Sequence, residues 1–175
     1  VHPTNPDIVF VCALGHSYGD QPERGVYRTK DGGKSWRRVA FVDENTGAVD
    51  IALDPRNPDT VYAVLWEARQ GPWENAAWTG PGSGLFKSTD GGTTWRPLTR
   101  GLPTFDEGLG RIGITVAPSE PRRLFATVEA GRLSGIYRSD DAGESWTRVN
   151  DDRRVVGRPN DAAEVRVHPA NPDIV

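Results

Sequence analysis

The sequence predicts an all-β fold, a β-propeller segment of four-stranded antiparallel blades with about three blades in the chain. Two repeated phrases and the composition carry that expectation. The first phrase is an octet read as TKDGGKSW at 29–36, STDGGTTW at 88–95 and SDDAGESW at 139–146. Its common pattern is Ser or Thr, any residue, Asp, any residue, Gly, any residue, Ser or Thr, Trp. The second phrase is HPTNPDIV at 2–9, DPRNPDTV at 54–61, APSEPRRL at 117–124 and HPANPDIV at 168–175. Both phrases recur with a unit of roughly 50 to 60 residues, about the length of a four-stranded propeller blade. The 20 Gly and 14 Pro among 175 residues fit many short strands joined by tight turns.

Each element follows from its local pattern. In the first unit the apolar run 8–14 reads as a strand, followed by strands at 25–29 and 35–42, so blade one spans 8–42 and lacks an innermost strand. Blade two spans 48–98. Its segment 48–53 (AVDIAL) alternates after its first residue, 60–66 (TVYAVLW) is apolar on both faces, and 85–88 and 94–98 flank the octet. Blade three spans 110–149 by the same frame. A spare first strand is expected over 163–168, with 164–167 as its centre. The octet's Asp-x-Gly reads as a hairpin turn, in which Gly supplies positive φ and Asp accepts backbone N–H bonds. Asp31, Gly33 and Trp36, then Asp90, Gly92 and Trp95, then Asp141, Gly143 and Trp146 therefore read as structural. The three Trp are expected to be mostly buried over their turns.

Composition narrows the function classes. The net charge is −3, with no basic stripe, which argues against a nucleic-acid partner. No apolar stretch has transmembrane length, and the start carries no signal-peptide pattern. Cys12 is the single cysteine, so an internal disulfide is excluded; its apolar run reads it as strand packing. No metal is expected: His2 and His168 are replaced by Asp54 and Ala117 in the sister phrases, and Asp140-Asp141 lacks the alternating acids of a calcium loop. Gly33-Lys34-Ser35 resembles the end of a phosphate-binding loop, but Arg28 stands where the first Gly is needed. No cofactor is implied.

Strand order puts the octets and Pro phrases at one end of the blades and the long, dissimilar connections at the other, where binding is expected. The connection 67–84 is the richest, holding Trp73 and Trp78 beside Glu67, Arg69 and Glu74. Trp faces with nearby carboxylates suit a sugar ring; packing of the loop onto the blade is the other reading. His16 and Tyr18 occupy the matching loop of the first unit and complete the ligand-binding candidates. Asp43, Glu44 and Asn45 read as turn formers, and 151–154 as a solvated charge cluster. A glycosidase needs two placed carboxylates, whose separation the sequence does not supply.

The octets are similar to the Asp-box, or BNR repeat, of sialidases, xyloglucanases, sortilin-type receptors and related propellers. The stretches GHSYGDQPERGVYRTKDGGKSW, DENTGAVDIALDP and GPGSGLFKSTDGGTTW further resemble large bacterial secreted proteins described as sortilin-like or glycosyl hydrolase-like. That resemblance implies a structural box away from the ligand, and an extracellular or periplasmic setting. It carries over no catalytic residue, and Arg111-Ile112-Gly113 only partly echoes the Arg-Ile-Pro motif of sialidases. The leading expectation is a carbohydrate- or protein-binding scaffold, leaning away from an enzyme. The alternatives are part of a glycoside hydrolase, xyloglucanase- or sialidase-like, whose site needs further blades, and a structural or engineered repeat protein. Partners are a glycan or polypeptide ligand, with no nucleic acid or membrane, and self-assembly through open blade edges.

Overall fold

A computed structural model describes residues 1–16, 18–69, 78–156 and 164–175. Eleven strands form three antiparallel sheets among these residues. The first sheet is β1 (Val9–Ala13), β2 (Gly25–Thr29) and β3 (Arg37–Ala40). The second runs β4 (Thr46–Leu53), β5 (Val61–Glu67), β6 (Gly84–Ser88) and β7 (Arg96–Leu98). The third runs β8 (Ile112–Val116), β9 (Leu124–Val128), β10 (Gly135–Ser139) and β11 (Thr147–Asn150).

These sheets correct the expected propeller of four-stranded blades. The fold is all-β with three open sheets that do not close on one another, and the first has three strands. The reason lies in the ladders. Strand pairing needs a partner at about 4.8 Å, and β1 pairs with β2 alone. The spare strand expected over 163–168 is not formed in the described residues 164–168, which join no ladder although Val165 is buried. Strands after the octets also begin later than the sequence suggests. In each octet the residue before Trp gives its N–H to the box Asp rather than to a ladder, as Ser35, Thr94 and Ser145 do at 2.9, 2.9 and 2.8 Å.

The two repeated phrases are bonded together in every unit. Gly32 N–H donates to Asp7 O at 3.1 Å, Gly91 to Asp59 O at 2.9 Å and Ala142 to Arg122 O at 2.8 Å. The octets and Pro phrases therefore share one end of the sheets, and the long connections emerge at the other. The octets also join one sheet to the next. Arg28 of β2 donates to Gly91 O, and at the same repeat position Lys87 of β6 donates to Ala142 O at 2.7 Å. Tyr62 hydroxyl adds a bond to Ala142 O at 3.0 Å. On the opposite side of the junction, Asp50 Oδ2 on β4 accepts Ile114 N–H of β8 at 2.8 Å. Burial pushes the Asp50 carboxyl above its ordinary range, while the Ile114 and Ile51 amides act in the other direction.

The core is split by these junctions. Phe10, Val26, Ala48, Val61 and Ala63 pack between the first and second sheets. A larger group, including Tyr62, Val64, Leu85, Leu98, Ile112, Leu124 and Trp146, packs between the second and third. All of β5 except Glu67 is buried, as its unbroken apolar run implies. The box Trp residues differ, which corrects the expectation of uniform burial. Trp146 is 5% exposed, Trp95 half-buried and Trp36 44% exposed. Cys12 is half-buried, and burial, followed by Asp50, pushes its thiol up to about 12, far from a reactive thiolate.

Gly101 is the tightest backbone contact in the turn after β7. Its φ is +85°, and a methyl there would lie 2.0 Å from Trp146 O. Gly101→Ala is expected to destabilise the fold by at least the roughly 1–3 kcal/mol that a left-handed non-Gly residue costs, with the clash added. A urea titration would check this; an unchanged midpoint would show that the turn relaxes freely.

Candidate functional site

The long connections converge at the end of the sheets opposite the boxes. Glu67 closes β5 and pairs in register with Thr46 at the start of β4. The returning chain folds tightly over Glu67: Gly82 N–H donates to Glu67 Oε2 at 2.8 Å, and Ser83 Oγ accepts Glu67 N–H at 3.0 Å. A methyl at Gly80 would lie 2.1 Å from Glu67 Cδ, and one at Gly82 2.1 Å from Thr46 Oγ1. Two side-chain-free residues are thus what lets the connection pass so close.

A cavity of about 190 Å3 opens here, lined by Asn45, Glu67, Arg69 and Thr79. Arg69 is exposed and Glu67 half-buried, so the cavity presents a carboxylate and a guanidinium. Asn45 is held by its own turn, where its N–H donates to Asp43 Oδ1 at 2.9 Å. A second cavity of about 250 Å3 lies between the second and third sheets and is apolar, with Leu85, Leu98, Leu102, Phe105 and Ile112 in its wall. Among the described residues neither cavity is lined by a pair of carboxylates.

Trp78 stands beside Glu67 through its neighbour. The Trp66 and Trp78 rings stack at 5.8 Å with planes 19° apart, and Trp66 Nε1 donates to Trp78 O at 2.8 Å. Arg111 lies 5.6 Å from the Trp66 ring, and its N–H donates to Glu129 Oε2 at 3.2 Å. Gly110 packs between Glu129 and Trp78; a methyl there would lie 2.5 Å from Glu129 Oε2 and 3.1 Å from Trp78 O. Burial pushes the Glu129 carboxyl upward, against the Arg111 amide and guanidinium. Sequence reading did not single out Glu129 for a role, because it sits in a strand-end position with no motif around it.

Of the residues expected to bind ligand, the structure brings Glu67, Arg69 and Trp78 into one neighbourhood. Trp73 and Glu74 lie outside the described residues. His16 and Tyr18 are exposed, Tyr18 at 54%, and their side chains do not line the cavity. His16 takes part through its backbone, donating its N–H to Gln21 Oε1 at 2.9 Å. Asn45 and Thr79 were missed as cavity residues; Asn45 was read as a turn former, which it also is.

The box residues stand at the other end. Asp31 accepts Ser35 and Thr29 hydroxyls at 2.6 and 2.7 Å, and Asp90 and Asp141 repeat the arrangement with Thr94 and Ser88, and with Ser145 and Ser139. Among the described residues no group of three or more His, Cys, Asp or Glu could hold a metal ion. No helix among them is long and apolar enough to cross a membrane.

Comparison with known proteins gives this arrangement a class. The BNR/Asp-box repeat family model matches residues 86–97, which contain the second octet. In fold the chain is like the GH74 xyloglucanase from Xanthomonas campestris, with a TM-score of 0.62 at 21% identity over 86% of this chain and 22% of that one. An ancestral GH74 enzyme gives 0.61 at 22% identity over 88% of this chain and 18% of that one. The three open sheets therefore have the fold of a stretch of a GH74 enzyme.

The sequence relatives carry the same name. A xyloglucanase from Paenibacillus sp is 32% identical over 133 residues, 71% of this chain and 12% of the relative. Xyloglucanase Xgh74A from Acetivibrio thermocellus is 35% identical over 171 residues, 84% of this chain and 19% of the relative. The chain thus spans less than a fifth of either relative's length. These likenesses correct the sortilin-like resemblance, because an Asp-box is a turn that stabilises many sheets and says nothing of the ligand. They also overturn the leading expectation of a binding scaffold and the lean away from an enzyme. The alternative reading, part of a glycoside hydrolase, is the one they favour.

Proposed function

We propose that this chain is part of a glycoside hydrolase acting on xyloglucan, and that its loop end contributes saccharide contacts. The observation that carries the reading is 35% identity to a xyloglucanase across 84% of the chain. The cavity of Asn45, Glu67, Arg69 and Thr79 supports it, since a carboxylate, a guanidinium, an amide and a hydroxyl together match the hydroxyl-rich edge of a sugar. Trp78 precedes the lining residue Thr79 and stacks on Trp66, the neighbour of Glu67, which puts an aromatic ring near those polar groups. Glycoside hydrolysis uses two carboxylates about 5–5.5 Å or 6.5–9.5 Å apart. Among the described residues the cavity is lined by one carboxylate, Glu67, to which we assign a binding role. Xyloglucan is a polysaccharide met outside the cell, which fits an extracellular or periplasmic setting.

The test is reducing-end release from xyloglucan, with cellulose and xylan as controls, together with retention of the protein in xyloglucan-containing gels. Release and retention on xyloglucan are expected of the whole enzyme to which this chain belongs. Glu67→Gln and Trp78→Ala are each expected to raise KM about tenfold, the loss of roughly one charge-assisted hydrogen bond or one ring contact, with kcat less affected. Absence of both release and retention would overturn the reading.

A further inference from the structure

The three sister units differ at one position, the residue just before the glycine that opens β2, β6 and β10. Two units carry serine there. Ser83 Oγ accepts the Glu67 N–H at 3.0 Å, and Ser134 Oγ accepts the Ala130 N–H at 2.8 Å. Each serine thus closes the end of its own preceding strand. The first unit has Arg24 instead, and it is only 1% exposed. A buried guanidinium is costly unless its donors are met.

Its two terminal nitrogens are met by backbone from three different connections, while Nε is buried without a partner. Nη1 donates to Asn45 O at 2.5 Å and to Ala68 O at 3.1 Å. Nη2 donates to His16 O at 3.1 Å and to Gly19 O at 3.4 Å. Asn45 is itself in the cavity wall, and Ala68 lies between Glu67 and Arg69, which are both in it. The fork therefore grips the main chain at the two points from which Asn45, Glu67 and Arg69 project. Its other arm holds the main chain at His16 and Gly19, and Gln21 braces the same connection further, its N–H donating to Glu44 O at 2.9 Å. Asp20 and Asp43 favour the charged guanidinium against the larger effect of burial.

We propose that Arg24 is a positioning residue that clamps the main chain at His16, Gly19, Asn45 and Ala68 and so sets the shape of the Asn45–Glu67–Arg69 cavity for a saccharide. The role of the cavity rests on the functional reading above; the clamp itself rests on geometry alone. Lysine keeps the charge but lacks the planar fork, so it cannot serve four divergent carbonyls.

The experiment compares the unaltered protein with Arg24→Lys by hydrogen–deuterium exchange and by binding of xyloglucan oligosaccharides. Exchange is expected to rise about tenfold in peptides covering 43–47 and 66–69, with the octets at 88–95 and 139–146 unchanged. Oligosaccharide affinity is expected to fall about tenfold, since small misplacements of positioning groups have effects of that order or more. Unchanged exchange in those connections, or an equal rise everywhere, would overturn the clamp. If the connections loosen and the unaltered protein binds no saccharide, the functional reading fails and the clamp stands. If the connections loosen and both proteins bind equally well, the link from Arg24 to the cavity is overturned.

Discussion

Trp146→Ala is expected to cost about 3–5 kcal/mol, the range for removing a large buried aromatic side chain, whereas Trp36→Ala should cost under about 1 kcal/mol, as for an exposed position. Both residues end the same octet, so the difference tests packing rather than motif. Trp146 lies under the junction of the second and third sheets. Its Nε1 donates to Gly143 O at 3.1 Å, its N–H donates to Arg100 O at 2.9 Å, and a methyl on Gly143 would meet Leu98 at 2.8 Å and Tyr62 at 3.3 Å. Around Gly33, a methyl would meet only the Trp36 ring itself, at 3.8 Å. Trp95 stands between the two, with Phe10 2.8 Å from a methyl on Gly92 and its Nε1 bonded to Gly92 O at 3.3 Å. Urea titrations of the three alanine variants should rank them Trp146, Trp95, Trp36 in order of loss. Equal losses would show that the octet, not the junction, sets the energy.

Acid should unfold the protein through its boxes. Hydrogen bonds from the Ser35 hydroxyl and amide, and then from Thr29, hold Asp31 down to about 2. Asp90 is held lower still by the Thr94 amide and hydroxyl and by Ser88. For Asp141 burial pulls upward, but the Ser145 and Ser139 bonds prevail and leave it at about 2. An unfolded Asp titrates near 3.9. These carboxylates are therefore depressed in the folded state, so their contribution is complete above pH of about 4–5 and is lost as pH falls through about 2. Asp50 and Glu129 work in the opposite sense, because burial raises both and favours their protonated forms in the fold. With three boxes against two such groups, melting temperature should fall between about pH 5 and pH 2. Asp141→Asn should lower the melting temperature at neutral pH and flatten its acid slope. A melting temperature independent of pH across that range would contradict the role of the boxes.

The sequence alone determined the repeat, the strand pattern and the chemistry of the boxes. Those are local: a turn of Ser or Thr, Asp and Gly satisfies its own polar groups within about eight residues, and alternation or an unbroken apolar run sets which faces a strand buries. Glu67, Arg69 and Trp78 were legible as candidates for the same reason, since one connection carries all three. The tertiary structure alone decided what those local pieces meet. Octets of one pattern received different burial because Phe10 and Tyr62 reach the second and third boxes and no such aromatic packs on Gly33. The sheets stayed open because ladder bonds depend on a neighbouring strand, which no segment encodes by itself. Arg24 was readable as an exception at a serine position once the units are aligned, but its four carbonyl partners come from connections up to 44 residues away. Long-range contacts of that kind leave no local pattern in the chain, so only the folded structure reveals them.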